Sequence, residues 1–397
     1  MSIRLLRCFS SLTVTLLGLV CLASSALADA KLEGTNPAQW RVLWLTDPST
    51  AATVSWSTAE QGSRHVVHYA AEGGDKAVVS SGNDGKYSGG AAYYHHAELK
   101  GLKPGTKYTI TIESDGKKSP AMHFFTAPDK DELLKIVYGG DSRSDRGMRR
   151  HVNKLIAGLA KLNKSIIAFS HGGDYIATGT SFGQWNAWLS DHELTVTDEG
   201  RILPIIPARG NHDVGRLYDE VFNNSGGVGK NYYALNIGPT VRFVNLNSNI
   251  SAAGEQAKWL EGQLAAARPK VRWLLANYHR PAYPAVKRPG KSLTYWVPLF
   301  EKYNVDMVCE SDGHSIKRTV PIRAGKLDPT GVVYVGEGGL GVKQRRPDAN
   351  RWYLRSPGFV GRGHHVQVLT FSKNELQYEC IAIDGKIIDK YVRKPRK

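Results

Sequence analysis

Residues 304–321, NVDMVCESDGHSIKRTVP, set Glu310, Ser311, Asp312, Gly313 and His314 between an apolar run and a basic, β-prone one. An apolar strand that breaks into a polar loop with metal-binding groups, then resumes as strand, is how a metal site is hung on a sheet edge. Asp312 and His314 make half of such a site. Further donors recur along the chain: Asp141 in GGDSR, Asp174 in GGDYI, Asn211, His212 and Asp213 in RGNHD, and His279 in NYHRP. Each motif follows an apolar run and so falls at the carboxyl end of a strand, where ligands gather in open α/β sheets. Carboxylate and amide oxygens mixed with imidazole nitrogens suit Mn, Fe, Zn or Co rather than Ca. One Asp after a strand is usually a helix cap, and one His a satisfied core or surface residue. Five strand ends carrying donors in order call for a shared ion.

The elements that must position these groups are readable as pattern. From Leu133, buried-strand runs alternate with amphipathic helices: LLKIVYGGD, RGMRRHVNKLIAGLAKL, SIIAFSHGGD, FGQWNAWLSDHEL and ILPIIPARGNHD, then GEQAKWLEGQLAAA, VRWLLANYHRPAY and VDMVCESDGH before a β-rich end. That alternation predicts a C-terminal α/β domain over 133–385, with layered sheets packed between helices. Residues 40–126 instead show short strands, polar turns and no helical period, which predicts an all-β sandwich. Within it, LKGLKPGTKYTITIES sets Leu102, Pro104, Thr106 and Tyr108 in a way that resembles the turn and corner tyrosine of a fibronectin type III domain. Trp56 is expected in the sandwich core. Residues 386–397 read as a solvated basic tail.

Residues 1–28 belong to no domain. Arg4 and Arg7, the apolar run from Leu12 to Ala23, and Ala26-Leu27-Ala28 before Asp29 predict a signal peptide cleaved after Ala28. The run is too short and wrongly flanked for a membrane span, and Val20 before Cys21 is bulkier than a lipidation motif tolerates. A soluble protein, secreted or periplasmic, is expected. Two of the four cysteines lie in this leader; Cys309 and Cys380 remain, which excludes a disulfide-built scaffold and leaves their pairing open. With 52 basic against 36 acidic residues, the formal charge of +16 favours anionic partners: a phosphorylated small molecule, or a polyanion surface. Charge that merely keeps a basic exported protein soluble is the alternative.

The order GD…GD…GNHD…H…H resembles that of the calcineurin-like metallophosphoesterases. With the fibronectin-like domain ahead of it, the chain is similar to the purple acid phosphatases over roughly residues 40–385. The resemblance implies two transition-metal ions, divalent or trivalent, of Fe, Mn or Zn. Carried over by position, Asp141 binds the first metal, Asp174 bridges, Asn211 and His279 hold the second, and His314 closes the first. Two such ions about 3.5–4 Å apart share a hydroxide and clamp the phosphoryl oxygens of a phosphate ester for in-line attack. His212 would contact the phosphate or protonate the leaving oxygen, with Asp213 orienting it.

The chain also departs from that family. Where the family has G-H-x-H this sequence has S-D-G-H, so Asp312 takes the place of the first His and shifts the second site towards harder ions. Ala177 stands where a tyrosinate would bind the first metal, and Arg143 where wider relatives carry a His. No tyrosinate-to-iron colour is therefore expected. Arg288 and Pro289 replace a histidine pair. Arg143, Lys287, Arg288 and Lys291 are candidates to bind substrate oxyanions. Ser181 in GTSFG lacks the strand–Ser–helix turn of a nucleophile. GEGGLG at 336–341 has no helix behind it to receive a pyrophosphate, and reads as glycine packing beside the metals. Two functions remain: an exported two-metal phosphoesterase, and a non-catalytic binding protein for polyanions or cell-wall polymers built around a degenerate phosphatase site.

Overall fold

Alternation along single strands decides the architecture. In Leu134–Gly139, Ile136 and Tyr138 join one apolar cluster while Val137 joins another, so both faces of the strand are covered. A strand buried on both faces needs a layer above and a layer below. The inner layer is a second sheet: Leu275, Met307, Cys309 and Val335 pack with Ile136 and Tyr138. The outer layers are helical. The helix Arg146–Leu162 covers the first sheet with Val152, Ile156 and Ala160 at three-to-four-residue spacing, and Asp145 caps it by accepting from the Met148 N–H at 3.0 Å. Full burial of Val152 and Ile156 contributes roughly 1.5–3 kcal/mol each. On the far side, Glu255–Ala267 and Val297–Lys302 cover the second sheet through Leu260, Leu264 and Phe300. The computed structural model describes residues 32–396; the leader with its cleavage site, Cys8, Cys21 and Lys397 lie outside the described residues. Among the described residues no helix is long and apolar enough to cross a membrane.

The first sheet has ten strands, and it crosses the expected domain boundary. Leu134–Gly139, Ile166–His171 and Ile205–Pro207 run parallel at its centre, flanked by antiparallel His365–Phe371, Leu376–Ala382 and Ile387–Arg393. On the other side Ala38–Leu43 joins Ile205–Pro207 in parallel at Leu43↔Ile205, bringing in Ala51–Thr58, Tyr93–Lys100 and Asn83–Lys86 from the sandwich. One sandwich sheet is thus continuous with the α/β sheet. The other sandwich sheet, around His65–Ala71 and Lys107–Ser114, is separate. Tyr108 is a corner tyrosine, its hydroxyl accepting from the Lys103 N–H at 2.8 Å, and Trp56 is fully buried.

The C-terminal segment corrects an expectation. Ile387–Arg393 is a strand rather than a solvated tail, and Arg393 and Arg396 reach the buried Asp306 at 3.4 and 3.0 Å. A carboxylate removed from water needs cations, and the end of the chain supplies two of them beside Arg268. Cys309 and Cys380 are both buried and free.

Candidate metal centre

The donor-bearing turns come from both sheets. Asp141 follows Leu134–Gly139, Asp174 follows Ile166–His171, and Asn211 with His212 follows Ile205–Pro207. His279 follows Trp273–Tyr278, and Asp312 with His314 follows Met307–Glu310, in the seven-stranded sheet. The sheets meet at this edge: the Tyr138 hydroxyl lies 3.0 Å from Ser311 Oγ, and the Asp312 N–H donates to Asp141 Oδ2 at 2.8 Å. Asp141, Asp174, Asp312 and His314 all have left-handed backbones, with φ of +58°, +59°, +70° and +59°. Such φ values are uncommon outside glycine, and their concentration here turns four side chains into one cleft. Gly338 makes room for them, since a Cβ there would stand 1.8 Å from Asp141 Oδ2. The GEGGLG run therefore packs against the cleft, as read from sequence.

Ligand atoms of Asp141, Asp174 and His279 lie within 4.8 Å of one another. His279 Nε2 is 3.2 Å from Asp174 Oδ1, and His314 Nε2 is 3.2 Å from Asp141 Oδ1. Asn211 is held beside them, because the next N–H, of His212, donates to Asp174 Oδ1 at 2.9 Å. Asp141 Oδ1, Asp174 Oδ2, Asn211 Oδ1, His279 Nε2 and His314 Nε2 are buried with no hydrogen-bond partner. Buried polar atoms are nearly always paired, so this set fits a metal centre. The rings are oriented from behind, as ligand histidines require: His279 Nδ1 donates to the Gly172 carbonyl at 2.9 Å, and His314 Nδ1 lies 3.3 Å from that of Lys343. Burial opposes charge on His279, yet Asp174 and Asp312 hold its imidazole well above the usual range. The pocket draws in positive charge.

Two side-chain cations answer that pull. Arg143 Nε lies 3.3 Å from Asp174 Oδ2, and the Lys287 ammonium is ion-paired with Asp312 Oδ1. Against burial, His279 and Lys287 hold the Asp312 carboxyl well below the carboxylate range. Arg288 and Lys291, grouped with them on sequence, are exposed.

His212 and Asp213 part company. His212 Nδ1 lies 2.7 Å from the Ala177 carbonyl, which can only accept, so the proton sits on Nδ1 and Nε2 faces Asp174 Oδ2 at 4.0 Å. Asp213 does not orient this ring. Its carboxylate accepts from the backbone N–H groups of Asp174 (2.8 Å), Tyr175 (3.0 Å) and Gly210 (2.7 Å), tying two strand ends together, and burial followed by the Asp174 charge raises its pKa. Sequence shows only a carboxylate beside a histidine and cannot tell the imidazole from backbone amides as its partner.

Glu310 also turns away from the cleft. Its carboxylate accepts from the Tyr278 hydroxyl and the Ala282 N–H, both at 2.6 Å, and pairs with the fully buried Lys317. Lys317 also lies 3.7 Å from Glu337, which accepts from the Ala285 N–H at 2.6 Å and so anchors the loop that carries Lys287. Neither Lys317 nor Glu337 was expected: Lys317 stands beside Arg318 in a basic run and Glu337 between glycines, and neither setting marks a buried charge. Tyr175 is buried in an aromatic cluster, its ring stacked on His171 at 3.8 Å, and Ser181 caps the helix Phe182–His192.

Residues 136–316 match the calcineurin-like phosphoesterase family, and the carboxylates, amide and imidazoles gathered at the ends of strands from two packed sheets all lie within that match. Residues 37–126 match the purple acid phosphatase N-terminal domain, so the chain joins a match to that domain with one to the calcineurin-like phosphoesterases. Purple acid phosphatase 15 of Arabidopsis thaliana is 26% identical over 295 residues, covering 64% of this chain and 55% of that one. An uncharacterized protein of Mycobacterium tuberculosis is 27% identical over 332 residues, covering 69% and 60%. The chain thus spans 55% and 60% of the length of these relatives. Among solved structures, a purple acid phosphatase from yellow lupin seeds superposes with a TM-score of 0.76 at 18% identity, covering 91% of this chain and 74% of that one. PhoD superposes with a TM-score of 0.66 at 12% identity, covering 92% and 90%. These two likenesses are of fold.

Proposed function

We propose that this chain is an exported phosphoesterase that hydrolyses phosphate esters with two transition-metal ions, of Fe, Mn or Zn. Asp141, Asp174 and His314 would hold one ion; Asp174, Asn211, His279 and Asp312 would hold the other. The observation that carries this reading is the convergence of five buried donor atoms without partners. Each would otherwise cost about 1–3 kcal/mol, and bound cations satisfy all of them together. Two ions there would lower the pKa of a water and neutralise phosphoryl oxygens. The side chains do the remaining work. Arg143, beside the shared carboxylate, binds a phosphoryl oxygen. His212, its Nδ1 proton held by Ala177 and its side chain 35% exposed, contacts the phosphate or, when Nε2 is protonated as well, hands that second proton to the leaving oxygen.

Metal content by elemental analysis after incubation with Mn, Fe and Zn, with hydrolysis of p-nitrophenyl phosphate and its bis-ester, tests the proposal. Two tightly held ions and hydrolysis are expected; neither metal nor hydrolysis would overturn it. One observation favours a second reading, a non-catalytic polyanion binder: two donor carboxylates already have cationic partners in Arg143 and Lys287. Salt-dependent polyanion binding without hydrolysis under any metal would carry that reading instead.

A further inference from the structure

Asp312 differs from the other donors because its outward oxygen is already paired with a lysine ammonium. Oδ1 is ion-paired with Lys287 and lies 3.6 Å from His279 Nε2, whereas the facing atoms of Asp141, Asn211, His279 and His314 make no hydrogen bond and Asp174 Oδ2 meets Arg143 Nε only at 3.3 Å. A metal shared between His279 and Asp312 and an ammonium on the same oxygen repel each other. Resting on the phosphoesterase reading above, we propose that Lys287 is a displaceable counter-ion: it competes with metal for Asp312, and metal uptake drives it off.

Lys287 is built to leave. Its backbone is anchored independently of its ammonium: Arg351 Nη2 donates to the Lys287 carbonyl at 2.8 Å and to that of Val286 at 3.1 Å, and Glu337 holds the Ala285 N–H. Asp312 is likewise fixed without the lysine, its N–H donating to Asp141 and its carbonyl accepting from Arg345 Nη1 at 3.2 Å. The pair is asymmetric in water contact. The lysine side chain is 38% exposed and that of Asp312 only 7%, so the cation can return to solvent while the carboxylate stays in the cleft. An ammonium on a flexible stem suits such a partner; the rigid fork of an arginine would not. Zn binding is then weaker than the donor set alone would make it, and uptake releases a cation at the mouth of the cleft.

The test is a competition titration of Zn against a fluorescent chelator, with the full chain and with Lys287→Met. The variant is expected to bind Zn about two- to fivefold more tightly, since a partly exposed ion pair no longer has to break. A second measurement uses the wild-type chain alone. Labelling of Lys287 by an amine-reactive reagent, read by peptide mass spectrometry, is expected to speed up several-fold when Zn is bound. Equal or weaker Zn binding by Lys287→Met, or labelling that Zn leaves unchanged or slows, would overturn the inference. If the wild-type chain takes up no metal, the phosphoesterase reading falls and this inference with it. If the wild type binds Zn and hydrolyses esters while either Lys287 readout fails, only the inference falls.

Discussion

The two proposed metal positions share Asp174 but are built differently. One draws on Asp174, Asn211, His279 and Asp312, with His279 held from behind by the Gly172 carbonyl. The other draws on Asp141, Asp174 and His314, and has Arg143 against the shared carboxylate at 3.3 Å. A four-donor position can hold an ion through protein contacts alone, whereas a three-donor position leaves coordination to be completed by water or substrate, as open catalytic sites do. The charges differ in kind as well. The guanidinium is a rigid fork on a side chain only 16% exposed; the ammonium of Lys287 is a point charge on a flexible stem, on a side chain 38% exposed. The comparison suggests one position that retains its ion and one that is easily emptied.

The heaviest blow to this arrangement is Asp174→Asn, which weakens both positions. Metal content should fall below one ion per chain and turnover by roughly a thousandfold or more, since the charges that stabilise the transition state are lost together. If Asp174→Asn kept one tight ion, the carboxylate would not be shared. A paired comparison comes next. His314→Ala reduces the poorer position to two donors and should leave one ion per chain, whereas His279→Ala should keep two at saturation with the richer site weakened about 10–100-fold. The reverse ranking by elemental analysis and Zn titration would exchange the two positions. Smaller still is Arg143. Arg143→Ala should lower kcat/KM about ten- to a hundredfold if its guanidinium binds phosphate, and Arg143→His should add a donor and tighten the weaker ion. Unchanged KM and turnover in Arg143→Ala would remove Arg143 from the site.

How much of this was legible follows from what each feature leaves in the chain. The strand ends were readable because near-continuous apolar runs, buried on both faces, stop shortly before Asp141, Asp174, Asn211, His279 and Asp312. Helix Arg146–Leu162 was readable because its buried residues keep one face over the whole segment. The fused sheet was not, because the registration of Leu43 with Ile205 leaves no pattern that either strand needs for itself. The role of Asp213 was hidden for a different reason: its carboxylate serves amides on turns that meet only in the folded state. The clamp of Arg393 and Arg396 on Asp306 looked like solubilising charge because its acid lies far away in sequence. Pairs made across long separations, such as Lys287 with Asp312, are invisible until the loops are closed.

The mildest prediction extends the comparison beyond the metal positions, to two histidines that are both buried and yet shifted in opposite directions. Asp174 and Asp312 hold His279 well above its usual range against burial, so it resists losing a proton to the pocket. His192 lies between Phe169 and Trp188, stacked on the latter at 5.1 Å, with both ring nitrogens unpartnered; burial, then the Arg41 charge, lowers its pKa to about 3. Its unfolded value is near 6.5, so His192 costs nothing above that pH, where it is neutral in both states. As pH falls below 6.5 the unfolded chain takes up the proton first, and stability is lost until pH reaches about 3. At pH 5 that loss is about 2 kcal/mol. His192→Phe keeps the aromatic stack and removes the titration. Its stability should match wild type or slightly exceed it at pH 7, and exceed it by about 2 kcal/mol at pH 5, as read by urea unfolding at both pH values. An identical loss of stability in variant and wild type between pH 7 and pH 5 would mean that His192 finds a partner when it is charged, and the contrast with His279 would fail.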